Sequence, residues 1–188
     1  NLNDADLMVI RYRYRNPTSI WNFNNKSHEW WDPKLKDYMI EKHIKLNDSI
    51  RILGQISIQP TAVRPLSGFD HVTGEDSGIF GHPSIELKTI PTPAQKLPKI
   101  LSTTGAITIP NYTDSKAGHK GEFNHSLAAL VVEVDGDRFY MRHIHGNPET
   151  GEFYDKDTLY TVNGAENGHR VAALVAGDIH AEFHDPLV

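Results

Sequence analysis

The chain has 188 residues, 38% of them hydrophobic and 23% charged, with a formal net charge of −5; that is enough chain for one full core, or for one domain and the start of a second. It contains no cysteine, which excludes a disulfide scaffold and a thiolate zinc site. It also lacks a leader pattern and any apolar run of about 18 residues, so no membrane partner is expected and a cytoplasmic location suits it.

The charge is unevenly placed. Residues 1–120 carry 15 Lys+Arg against 12 Asp+Glu, a net +3, whereas residues 121–188 carry 4 against 12, a net −8. An acidic final third is what a cluster of hard-cation ligands produces, and a solvated acidic surface produces it equally well.

Taken in chain order, Leu7 to Arg15 predicts a half-buried strand with Ile10, Tyr12 and Tyr14 on one face and Arg11, Arg13 and Arg15 on the other. The aromatic, Asn-rich stretch 16–31 follows, with Trp21, Trp30 and Trp31. Together the basic strand and the aromatic loop form a surface able to track a phosphate backbone and stack bases, with Arg11, Arg13 and Arg15 as candidate nucleic-acid contacts. The bland alternative is that the aromatics are simply core. Asp32-Pro33 marks a helix start, and Leu35, Tyr38 and Met39 supply an apolar stripe for a helix ending near His43. Ser49 to Ile58 alternates Ile50, Ile52, Gly54, Ile56 and Ile58, a period-two strand closed by Pro60.

Between Pro60 and Pro110 the composition predicts short strands joined by ordered loops, with apolar pieces at 84–90 and 106–109. Thr103-Thr104-Gly105 and Lys116 to Lys120 suggest an anion-binding loop of backbone amides and ammonium groups. Leu127 to Val134 and Arg138 to Ile144 read as a hairpin joined at Asp135-Gly136. His143 and His145 would share one face of its second strand and could hold a cation, although histidines beside glycine and asparagine usually lie on the surface; His119 and His125 are a second such pair.

After an acidic, turn-rich stretch the chain enters RVAALVAGDIHAEFHD, residues 170–185. A continuous small-apolar strand that runs into Gly177-Asp178-Ile179-His180 places a carboxylate and an imidazole two residues apart, pointing the same way at a strand's carboxyl end. That pair can grip one divalent cation, so Asp178 and His180 are the candidate metal ligands. The alternative is a helix-capping Asp178 and a surface His180. Because so hydrophobic a strand needs neighbours to cover it, a chain that stops at Val188 is expected to be part of a longer one.

Residues 171–185 resemble the opening motif of the calcineurin-like metallophosphoesterases, the GD-x-H that follows their first strand. The resemblance implies two divalent ions, Mn²⁺ or Mg²⁺ foremost and Zn²⁺ or iron next, held by Asp178, His180 and ligands from later motifs, a GD-x-x-D-R and a GNH segment, that residues 181–188 do not contain. It also implies that 169–188 opens an α/β metallophosphoesterase sandwich, behind a strand-rich α+β domain at 1–168. His184 and Asp185 take no ligand role from it. A second pattern, Asp76 followed by Glu86-Leu87-Lys88, resembles the PD-(D/E)-x-K nucleases, in which two carboxylates hold Mg²⁺ and the lysine steadies a water; the proline before the aspartate is missing, and the alternative is a polar strand face. Finally, the segments TAVRPLSG, IFGHP, PKILSTTGAITIPNYTDSKAG and FNHSLAALVVEV, followed by GDIH, are similar to the early DNA-degrading or DNA-transfer proteins of T5-like phages. That likeness implies a phage nuclease or phosphodiesterase acting on DNA in the host cytoplasm. A non-enzymatic DNA- or protein-binding module is the rival expectation.

Overall fold

The computed structural model describes residues 5–10, 33–169 and 173 of the chain. They are mixed α+β and strand-rich, as expected, and fall into two compact units divided between His145 and Gly146.

The first unit is organised by a five-stranded sheet. Its strands are β3 (His43–Lys45), β4 (Ile50–Leu53), β5 (Ser77–Phe80), β6 (Leu87–Ile90) and β7 (Lys99–Thr103), in the spatial order β3-β4-β5-β7-β6. The three central strands β4, β5 and β7 run parallel, and the edge strands β3 and β6 are antiparallel to their neighbours. Central strands covered on both faces should be almost wholly apolar or small, and SGIF in β5 is buried at every position.

Alternation along each strand sends its side chains to two cores. Ile50, Ile52 and Ile79 face a hairpin made of β8 (Ala128–Asp135) and β9 (Arg138–His145), whose Leu130, Val132, Phe139 and Met141 pack on them. Leu53, Phe80 and Leu101 face the other way and pack with Ile58 and Leu66. Those last two residues come from the 54–76 crossover that parallel strands require. The crossover is a succession of turns, closed by Ala62 N–H to Gln59 O (2.9 Å), Gly74 N–H to His71 O (3.1 Å) and Asp76 N–H to Thr73 O (3.2 Å), and Pro60, Pro65 and Gly68 keep it from winding into a helix.

Three local expectations are corrected. The helix foreseen from Pro33 to His43 is a 3-10 turn, Pro33–Tyr38, after which Met39–Ile40 (β2) pairs in parallel with Val9–Ile10 (β1). Ile40 and Ile10 pack with the Ile50 cluster, a burial worth more than continuing a short helix. The strand foreseen to Ile58 stops at Leu53, where a turn closed by Ile56 N–H to Leu53 O (3.3 Å) follows; Gly54 in it passes so close to Lys42 O that a Cβ there would clash. Lys116 to Lys120 lies in an α-helix, α1 (Lys116–Phe123), rather than in an anion-binding loop; the Ser115 side chain caps it by accepting from Gly118 N–H at 3.0 Å.

The hairpin is as foreseen except at its turn. Asp135 pairs with Arg138, so the two central residues are Gly136 and Asp137. Gly136 has φ +59 and Asp137 does not share the left-handed conformation, the pattern of a type II′ turn. The second unit contains a three-stranded antiparallel meander, β10 (Phe153–Asp155), β11 (Thr158–Thr161) and β12 (Gly164–Glu166).

Candidate functional site

In parallel sheets, ligands collect beyond the carboxyl ends of the strands. In the first unit that end of β5 and β7 carries His82, Ser84, Glu86, Ser102, Thr103 and, from the hairpin, His143 and His145. His82 is 2% exposed. Its Nδ1 accepts from Ser84 N–H at 3.0 Å and its Nε2–H donates to Gln59 O at 3.0 Å, which fixes one neutral tautomer. Burial lowers its pKa below the usual 6.5, against the opposing pull of the Gln59 and Ser84 carbonyls and the Glu86 carboxylate. Thr103 Oγ1 accepts from Glu86 N–H (2.7 Å) and donates to Ser84 O (2.7 Å). Ser84 Oγ is, among the described residues, the buried side-chain polar atom without a hydrogen-bond partner.

The foreseen anion loop is absent here for a plain reason. Thr103 N–H donates to Glu86 O, Thr104 N–H to Phe80 O and Ala106 N–H to Ser126 O, so these amides are committed to the fold and cannot converge on a phosphate.

The Asp76, Glu86 and Lys88 trio is separated. Gly78, Leu101 and Lys88 lie in one row across β5, β7 and β6. Asp76 sits two residues beyond that row toward Lys99, whereas Glu86 sits two residues beyond it toward Thr103. The two carboxylates are therefore about 13 Å apart along the strands and two strands apart across them. Each also has a structural partner. Asp76 pairs with Arg51, Lys88 pairs with Asp70, and Glu86 Oε2 accepts from Leu66 N–H at 2.8 Å. Lys99, 4% exposed, donates to the carbonyls of Asp70 and Gly74. These charges pin the 66–76 crossover to the sheet; no two carboxylates of the trio share an ion's coordination sphere.

His119 and His125 are likewise held apart. His119 Nε2 meets Asp114 Oδ1 at 2.9 Å, while His125 bridges Tyr112 OH (3.1 Å) and Thr108 O (2.9 Å). The Thr108 carbonyl can only accept, so His125 Nε2–H donates to it and Nδ1 accepts from the Tyr112 phenol, whose pKa is raised by burial, with Glu122 adding to it. His143 and His145 do share a face, with ring centres 6.3 Å apart. Neither the sequence period nor composition signalled His82 or the unpartnered Ser84 hydroxyl; only their depth in the fold does.

Asp178 and His180, all but Ala173 of the apolar run before them, and Arg11, Arg13 and Arg15 with the tryptophan loop lie outside the described residues. Among the described residues no group of three or more His, Asp or Glu is placed to hold a metal ion, and no helix is long and apolar enough to cross a membrane.

No family model matches the chain, and no solved structure matches it. The chain is similar to "Protein A1" of Escherichia phage T5, with 33% identity over 187 residues, 96% of this chain. It spans about a third, 34%, of the length of that relative. The likeness supports an origin in a T5-like phage.

Proposed function

We propose that the protein containing this chain is a metal-dependent phosphoester hydrolase of a T5-like phage, acting on DNA or another phosphodiester. The observation that carries the reading is the sequence of residues 171–180, an apolar run, VAALVA, followed by Gly177, Asp178 and His180. A carboxylate and an imidazole two residues apart suit Mn²⁺ or Mg²⁺ at a two-ion centre, which supplies an activated water and screens phosphate charge. In this reading Asp178 and His180 hold and orient, and the remaining ligands come from elsewhere in a longer protein. Residues 33–145 serve as scaffold, which agrees with the structural pairing of Asp70, Asp76, Glu86, Lys88 and Lys99.

The test uses the longer protein with Mn²⁺, assaying DNA and bis-p-nitrophenyl phosphate. Asp178→Ala is expected to lower kcat by at least about a hundredfold, the scale on which a lost group of a catalytic centre is felt; activity equal to that of the parent would falsify the assignment. A second reading, a non-enzymatic DNA-binding module, rests on the same structural pairing of the first unit's carboxylates, and metal-independent, salt-sensitive DNA binding by a protein that cleaves nothing would favour it.

A further inference from the structure

The hairpin places two imidazoles side by side on one face of its second strand, with ring centres 6.3 Å apart. His143 lies opposite Leu130 and His145 opposite Ala128, so both point to the side that carries Phe139 and Met141 onto the sheet. They differ in exposure. His143 is half-buried over the end of β7, where its Nε2–H donates to Thr103 O at 2.7 Å and lies 3.4 Å from Ser102 Oγ. His145 is exposed, and Ala128 across from it is too small to cover its ring.

The bond from His143 to Thr103 O decides the chemistry. A carbonyl can only accept, so Nε2 carries the proton and Nδ1 presents its lone pair. An imidazole whose second nitrogen donates to a backbone carbonyl has the orientation and basicity found in metal-ligating histidines. A metal bound at about 2.1 Å from a ring nitrogen lies about 3.2 Å from the ring centre, so two ligating rings at a tetrahedral angle have centres about 5 Å apart. The observed 6.3 Å separation is closed by a shift of about 1 Å, which an exposed side chain such as His145 makes by rotating within its rotamer well.

We propose that His143 and His145 form a two-histidine site for a borderline or late first-row divalent metal ion, Zn²⁺, Ni²⁺ or Cu²⁺, with His143 coordinating through Nδ1 and water filling the open positions. Imidazole pairs select these ions over Mg²⁺ and Ca²⁺, which prefer oxygen. The site is thus distinct in ligand chemistry from the carboxylate-bearing centre proposed at Asp178, and it does not rest on that reading.

Cu²⁺ is the probe, titrated calorimetrically into the chain carrying Asp178→Ala and His180→Ala, so that failure here and failure at that centre are told apart. His145→Ala is the diagnostic change, since an exposed residue can be removed without loss of fold. It is expected to weaken the tightest Cu²⁺ binding by at least about tenfold, the scale on which altered ligation is felt, and to remove one nitrogen from the Cu²⁺ electron-spin signal. A smaller change, an unaltered spectrum, or no Cu²⁺ binding by the parent chain overturns the proposal.

Discussion

Burying a histidine without charging it makes His82 a liability in acid. The folded protein holds the ring neutral, with a pKa lowered below 6.5 first by desolvation, whereas the unfolded chain takes up a proton near that value. Because the unfolded state binds more protons, stability must rise with pH across the window below 6.5 and fall as acid is added through it. His82→Asn keeps an acceptor for Ser84 N–H and removes the titrating group. It is expected to cost about 1–3 kcal/mol at pH 7.5, from the lost bond to Gln59 O, and to flatten the dependence of the urea midpoint between pH 7.5 and 5.5. An equally steep dependence in the variant would show that other groups set the acid response. The sequence announces eleven histidines but not which of them is buried; IFGHP lies in a stretch rich in Pro and Gly, and depth is decided by the strand Ser77–Phe80, whose apolar run is only two residues long. The same limit applied to Asp76, Glu86 and Lys88, whose spacing matched a pattern while their partners, Arg51, Leu66 and Asp70, lay 18 to 25 residues away along the chain.

Elements with a local signature were legible and those made by distant pairing were not. The hairpin carries eight paired positions between Ala128–Asp135 and Arg138–His145, and both its strands showed in the sequence because alternation and a turn residue sit side by side. Ser77–Phe80 and Lys99–Thr103 did not show, since a short central parallel strand is recognisable only once its neighbours cover it. Beside its apolar packing on Ile50, Ile52 and Ile79, the hairpin is tied by a residue outside it. Asn47 Oδ1 accepts from Ser49 N–H (2.9 Å) and Ile50 N–H (3.1 Å), and its Nδ2 donates to Gly136 O (3.0 Å) and Arg138 O (2.9 Å). One amide therefore closes the β3–β4 turn and ties it to the hairpin tip 89 residues on. Asn47→Ala is expected to cost about 2 kcal/mol, and Asn47→Asp at least as much, because the carboxylate keeps the acceptor but faces the Gly136 and Arg138 carbonyls, which can only accept. Hydrogen exchange at the β8–β9 amides should quicken in both variants; unchanged exchange would mean that apolar packing alone seats the hairpin.

At the scale of the molecule, the two units differ in how they are held. The first has two apolar cores, one on each face of its sheet, and each fully buried aliphatic or aromatic side chain contributes about 1.5–3 kcal/mol. In the second, none of the described residues is buried. Its meander rests on backbone pairing and on the stack of Phe153 on Tyr160, directly opposite in register with ring centres 4.9 Å apart. Strands of three or four residues with one such pair are of marginal stability. Their first turn adds strain, for Lys156 adopts φ +57, a left-handed conformation that costs a non-glycine residue about 1 kcal/mol. The sequence signalled this stretch only as acidic and turn-rich, because strands that bury nothing leave no hydrophobic period to read. Its local opening should be far easier than that of the first unit, and Lys156 puts a trypsin site in the exposed turn. In a brief digestion followed by intact mass spectrometry, cleavage after Lys156 is expected to precede cleavage after Arg51, Lys88, Lys99, Arg138 and Arg142 by at least about tenfold in rate. Lys156→Gly should abolish it by relieving the turn and removing the site together, while Lys156→Gln removes the site and keeps a non-glycine residue in the left-handed conformation. Cleavage at Lys99 or Arg142 as early as at Lys156 would show that the two units open together, and that the difference in their packing does not set their stability.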